Sequence, residues 1–249
     1  MRVFAGPNGS GKSTIIQAVR EYRITEIPID FGIYINADDI AELLRSNQFR
    51  FSAYSINTSR KEFSSVAISS GLIGENFPEK TFRSSFIFKG NQLLLLKNHT
   101  VVERLAQILS DFLRKKLLQE GKKFSFETVF SHPSKLEVMH EAKDKGYKVY
   151  LYFVSTESPE INIYRVQLRK DKGGHDVLPD KIKSRYERSH DLMFEASQLA
   201  YQAYFFDNSG EQPKLFAHFK KVRGKKKWDK IKKSEVPEWF KKYYSLKVR

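Results

Sequence analysis

The sequence lacks cysteine altogether in 249 residues. That excludes a disulfide framework and any thiolate chemistry, and it fits a cytoplasmic protein. Long apolar runs are missing too. Leu93-Leu94-Leu95-Leu96 is closed by Lys97, far short of the roughly 18 residues a membrane span needs. No signal peptide is expected, because the first strand begins at Met1, and no internal repeat is visible. The reading is a cytoplasmic chain with no membrane segment.

What is present is enough for a folded core. Hydrophobic residues make up 40% of the chain, and the length suits one large α/β domain, or a core with one embellishment. Charge is uneven. The net is +15, and residues 211–249 hold 14 Lys or Arg against 4 Asp or Glu, a net of +10. The division expected is a core over 1–210, with an insertion at about 46–97, and a basic C-terminal extension over 211–249.

The strongest signal opens the chain. Val3-Phe4-Ala5 reads as a strand and Ile15-Ile16-Gln17-Ala18-Val19 as a helix. Between them Gly6-Pro7-Asn8-Gly9-Ser10-Gly11-Lys12-Ser13 satisfies G-x-x-x-x-G-K-[ST], with Thr14 following. Glycines let successive backbone N–H groups turn inward as an anion nest, and the helix start aims its positive dipole end at the same point. Lys12 can reach the β- and γ-phosphates and the Ser13 hydroxyl can ligate Mg²⁺. ATP and Mg²⁺ are the cofactors expected, with Gly6 to Thr14 as the binding segment.

Tyr34-Ile35-Asn36-Ala37-Asp38-Asp39-Ile40 reads as a second strand running into a helix. Loops after parallel strands face the ligand, so Asp38 or Asp39 would project toward the phosphates; helix capping is the alternative for each. Residues 46–97 are aromatic-rich without a continuous period, and read as an insertion covering the site. Spacing of three and four predicts an amphipathic helix over 100–119 with Gly121 as its stop. Phe124 to Ser131 is a strand carrying Glu127, a carboxylate that needs either an active site or an exposed edge. A helix over 134–145 and a strand over 147–154 complete a parallel βαβ pattern.

Pro159 opens a helix in which Arg165 and Arg169, four apart, share a face. The loop from Lys170 to Pro179 follows, and its Gly173-Gly174 suit a mobile lid; His175 there reads as a turn or substrate contact. Cations beside a lid are what phosphoryl transfer asks for. A further helix runs from Asp180 towards Tyr201, Ala203 to Gly210 is a last core strand ending in a polar turn, and Leu215 to Phe219 is expected at the edge. The tail interleaves lysines with Trp228, Trp239, Phe240, Tyr243 and Tyr244. That is a terminal helix docking its aromatic face while its lysines stay wet, or a nucleic-acid surface.

In order, the P-loop, Asn36-x-Asp38, Phe126-Glu127-Thr128, Arg165-Val166…Arg169 with Gly173-Gly174-His175, and Asp207-Asn208-Ser209 resemble the zeta-toxin family of P-loop kinases, in particular its bacterial branch of predicted ATPases. The resemblance covers about residues 1–45 and 100–210. It implies an adenylate-kinase-like parallel sheet flanked by helices and ATP-dependent phosphorylation of a hydroxyl, which in the better-known zeta toxins belongs to a UDP-linked N-acetylhexosamine. Carried over by position, Lys12 binds phosphate, Asp38 is the base that orients the acceptor hydroxyl, and Arg165 stabilises the moving phosphoryl group. Glu127, with Asn36 and Thr128, falls on the substrate side. Where the toxin subgroup has a second lid arginine this chain has His175-Asp176, and Arg169 can supply that charge instead. An antitoxin partner is implied by the same resemblance, and the insertion carries no motif of the toxins' sugar pocket.

Overall fold

The computed structural model describes residues 1–96, 99–174 and 176–248, so His175 lies outside the described residues. The chain divides into two compact units, one of residues 1–30 with 127–249 and one of residues 31–126. The first begins with β1 (Arg2–Ala5), the glycine loop, and α1 (Lys12–Glu21), then an exposed hairpin of β2 (Arg23–Ile24) and β3 (Ile27–Pro28).

The second unit opens with β4 (Ile33–Ile35) and α2 (Ala37–Arg45), followed by α3 (Arg60–Ile68) and α4 (Glu79–Ser84). A hairpin of β5 (Phe86–Lys89) and β6 (Gln92–Leu95) leads to the long α5 (Val102–Gln119) and to β7 (Phe124–Thr128), whose N-terminal half pairs in parallel with β4. The stretch over 46–97 is therefore ordered by a core of rings, not by a period. Phe63 of α3 lies 5.2–6.0 Å, centroid to centroid, from Phe51, Phe82, Phe86, Phe88 and Phe112. Most of these pairs are edge-on or tilted, the arrangement ring quadrupoles favour. Lys116 and Glu62 pair beside this core, as do Arg45 and Glu103 on α5.

The first unit resumes with α6 (Ser134–Asp144), β8 (Tyr150–Ser155), α7 (Pro159–Asp171) and α8 (Pro179–Leu199), then β9 (Gln202–Asp207), β10 (Lys214–Val222), β11 (Lys225–Trp228) and α9 (Glu238–Tyr243). β1, β8 and β9 run parallel; β10 and β11 add on antiparallel. β8 is buried from Leu151 to Ser155, the nearly unbroken apolar run of a strand covered on both faces. It starts at Tyr150, later than the sequence suggested, because its partner β1 starts at Arg2, paired with Tyr150.

One expectation about the C-terminus changes. Leu215–Phe219 belongs to a nine-residue strand that is not an edge, since β11 pairs beyond it. Residues 211–249 are built into the first unit: Phe240 stacks on Tyr244 at 4.6 Å and meets Phe205 of β9 edge-on at 4.9 Å. Trp239, Phe240 and Tyr244 are buried, with exposures of 3–4%. The terminal helix docks its aromatic face, as one sequence reading had it. Among the described residues no helix is long and apolar enough to cross a membrane.

Candidate nucleotide site

The glycine loop between β1 and α1 is held from three sides within the first unit. Asn162 of α7, fully buried, donates from Nδ2 to the Asn8 carbonyl at 2.7 Å and accepts at Oδ1 from Thr156. Arg185 of α8 donates to Asn8 Oδ1 at 3.0 Å. Asn208, just past β9, donates to the Ser10 carbonyl at 2.9 Å. These approaches are so close that the loop must be glycine-rich. A Cβ at Gly9 (φ +74°) would stand 2.5 Å from the Asn162 carbonyl, and one at Gly11 (φ +90°) 2.0 Å from Asn208 Nδ2. Both φ values lie in the region glycine adopts without penalty.

Lys12, 7% exposed, is folded back on this loop. Its Nζ donates to the Pro7 carbonyl at 3.0 Å and lies 3.6 Å from Glu127 Oε1. Glu127 is the penultimate residue of β7 and half-buried, so its carboxylate meets the cation that a strand-buried glutamate requires. The next residue, Thr128, accepts at Oγ1 from the Phe130 N–H at 3.1 Å.

The loop fits a polyphosphate on three observations. The fully buried Ser10 Oγ has no hydrogen-bond partner among the described residues. Gly11 caps α1 without a side-chain acceptor, and no acidic residue sits in the helix's first turn. The positive end of the helix is thus left to an anion. Ser13 is exposed at that end, where its hydroxyl can join a Mg²⁺ whose other ligands are phosphate oxygens and water. Among the described residues no cluster of three or more His, Asp or Glu is placed to hold a metal by itself.

The remaining candidates sit as follows. Arg165 is half-buried and donates to the Asn208 carbonyl at 2.7 Å and the Gly210 carbonyl at 3.1 Å. It braces the same asparagine that grips the loop. Arg169 is exposed, and its side chain runs beside Gly174, where a Cβ would approach its Cγ to 2.6 Å. Asn36 and Asp38 belong to the second unit. Asn36 caps α2, its Oδ1 accepting from the Asp38 N–H at 2.8 Å, and Asp38 and Asp39 stand exposed in the first turn. Capping is thus the asparagine's work and leaves the Asp38 carboxylate to other uses.

Sequence reasoning missed Asn162, Arg185 and Asn208 as loop-gripping groups. Arg185 was visible only as a helix residue and Asn208 only as a turn. Burial, and secondarily the charge of Arg188, holds the Arg185 guanidinium below its usual range. An arginine held so is one that gains from an anion brought beside it.

No family model matches the chain. A chain of the AvrRxo1-ORF1:AvrRxo1-ORF2 complex crystallised with sulphate ions superposes at TM-score 0.52 and 15% identity, over 97% of this chain and 62% of that one. The same pair crystallised with ATP gives 0.50 at 14% identity over the same shares. A chain of the PezAT toxin–antitoxin system of Streptococcus pneumoniae gives 0.47 at 13% identity, over 86% of this chain and 71% of that one. An uncharacterised protein of Haemophilus influenzae is 35% identical over 63 residues, which is 25% of this chain and 45% of that protein. The chain thus spans under two thirds of the AvrRxo1 chain it superposes on. The α/β fold with a parallel sheet flanked by helices, anticipated from the P-loop and the motifs after it, is the fold found.

Proposed function

We propose that the protein is a P-loop kinase of zeta-toxin-like type that moves the γ-phosphate of ATP to a hydroxyl of a small acceptor, a nucleotide sugar being one candidate. The observation that carries this is the loop itself, with a buried lysine folded over glycines that no other residue could replace. ATP, with Mg²⁺ at Ser13, supplies the phosphoryl group and part of the charge neutralisation when bound. The backbone N–H groups of Gly9 to Thr14 and the start of α1 bind the phosphate chain. Lys12 leaves the Pro7 carbonyl for phosphate oxygens, and Arg165 and Arg169 offset charge on the group in transit; most of the rate enhancement is assigned to this electrostatic work. Asp38 orients the acceptor hydroxyl and takes its proton as the new P–O bond forms and the bond to ADP breaks. Glu127, Asn36 and Thr128 position the acceptor. The ATP-containing structure on the same fold supports the choice of nucleotide.

The test is transfer from γ-labelled ATP to a panel of nucleotide sugars, nucleosides and RNA ends. Asp38→Ala should lower transfer by about 100-fold or more, the scale of a lost general base, while an ATP analogue still binds. Lys12→Ala should lose both. Wild-type transfer by Asp38→Ala would remove the aspartate from the mechanism. A protein partner that holds the enzyme silent is proposed with it, since the same fold occurs in the two-component AvrRxo1 assembly. Growth arrest on expression of the chain alone, relieved by Lys12→Ala, is the expected sign.

A further inference from the structure

The β10–β11 hairpin carries an arrangement that stability alone does not explain. Lys220 stands directly opposite Lys227, and Lys221 opposite Lys226. Like charges directly across a ladder oppose pairing. The hairpin closes through Arg223 and Gly224, both at positive φ, the tight turn that fixes this register. Partners opposite each other share a sheet face, so the lysines fall into two sets.

The inner set is anchored. Lys226 Nζ donates to Tyr244 Oη at 2.8 Å and to Ser197 Oγ at 3.2 Å, and Lys221 Nζ to the Gln198 carbonyl at 2.5 Å. Burial, then the charge of Lys221, lowers Lys226 to about 8; burial, then Lys143, lowers Lys221. These two tie the hairpin to α8 within a positive field. The outer set is different. Lys220, Lys225 and Lys227 are exposed and form no ion pair among the described residues, and Val222 is the apolar residue between them. Lys148 joins them, since its ammonium and that of Lys220 both lie over the Tyr201 ring, at 5.2 and 5.9 Å. The acids of this region are paired: Asp229, next along the same face after Lys227, accepts from His218 at 2.7 Å, and Glu235 pairs with Lys232 and Lys214.

We infer that this outer face of the hairpin, with Lys148 and Arg223, binds the phosphate backbone of a nucleic acid. Lysines do guard edge strands against pairing, but that role needs charges only on β11 and does not call for Lys220 opposite them on an inner strand. A membrane or a protein partner needs apolar anchors, and Val222 alone supplies little. Positive charges at every second residue, Lys225 and Lys227, with Lys220 across the ladder, match the repeating charge of a phosphate chain. The inference is independent of the kinase reading and uses none of the P-loop.

The experiment is fluorescence anisotropy of a labelled 20-nucleotide single-stranded RNA with the full chain, from 50 to 200 mM KCl, with a 20-base-pair DNA duplex as a second probe. Five phosphate contacts on a single strand predict a slope of log K against log salt of roughly −3.5. Lys220→Glu/Lys225→Glu/Lys227→Glu should weaken binding at least tenfold and flatten the slope; the same three changes to Gln should fall between. Lys61→Glu on α3 should leave binding unchanged. Lys227→Glu alone should raise Tm while weakening binding, because it replaces a repulsive pair with an ion pair. No binding of either probe at 50 mM salt overturns the inference. So does binding indifferent to the triple Gln variant, or competition by phosphatidylglycerol vesicles or polyglutamate as effective as that by unlabelled RNA at equal charge.

Discussion

The glycine loop and the phenylalanine core of residues 31–126 are held by opposite means. Around the loop the gripping atoms are polar: Asn162, Arg185 and Asn208 reach loop carbonyls or side-chain oxygens over 2.7–3.0 Å. In the other unit, rings from well-separated parts of the chain converge on Phe63. A hydrogen bond contributes about 1 kcal/mol net, whereas a fully buried phenylalanine is worth several. The difference teaches that the loop's shape rests on a few directional contacts, each replaceable only by itself. The aromatic core rests on area and shape shared among many rings.

The comparison breaks hardest at Phe63. Phe63→Ala removes a side chain with no exposed surface and should destabilise by about 3–5 kcal/mol. A fall in the denaturant midpoint checks it; a loss under about 1 kcal/mol would mean that the neighbouring rings close the cavity. A second effect arises in the first unit. His190, fully buried beside Phe153, Trp239 and Tyr243, is pushed down to about 4, mainly by burial. The folded state therefore binds fewer protons than the unfolded chain between about pH 6.5 and 4. Stability is fully present above pH 6.5, falls by about 3 kcal/mol as pH drops towards 4, and is flat in this respect below. Denaturant midpoints across that range should show the slope, and His190→Gln should lose this part of it. The smallest effect sharpens the polar side. Asn162→Ala leaves the Asn8 carbonyl without its donor, and should cost about 1–2 kcal/mol of ATP-analogue binding, roughly fivefold to thirtyfold in Kd. An unchanged Kd would show that Arg185 and Asn208 suffice to shape the loop.

The parts legible in the sequence are those whose physics is local. The P-loop, α1, the amphipathic α5 and the helix opened by Pro159 each announce themselves within a few residues. The packing of the aromatic insertion did not, because Phe51, Phe63 and Phe82 share no period and meet each other, and Phe112 of α5, only through the fold. β11 was missed for a related reason: Lys225-Lys226-Lys227-Trp228 has no apolar alternation, and it pairs because the turn at Arg223-Gly224 presents it to β10. At the site, Glu127 was picked out by the cost of a carboxylate in a strand, and it does meet Lys12. Arg165, expected as a cation for phosphate, also donates to the Asn208 and Gly210 carbonyls, contacts that no local pattern could show.

The sequence by itself determined that a glycine loop followed by Lys12 and a helix start would form an anion cradle, because that geometry depends on nine consecutive residues. Only the tertiary structure decided what holds the cradle in shape and which lysines of the C-terminal region are left facing water. Asn162, Arg185 and Asn208 come from three elements far along the chain, and Lys220 and Lys226 are set apart by a sheet face. Neither relation exists until the strands pair.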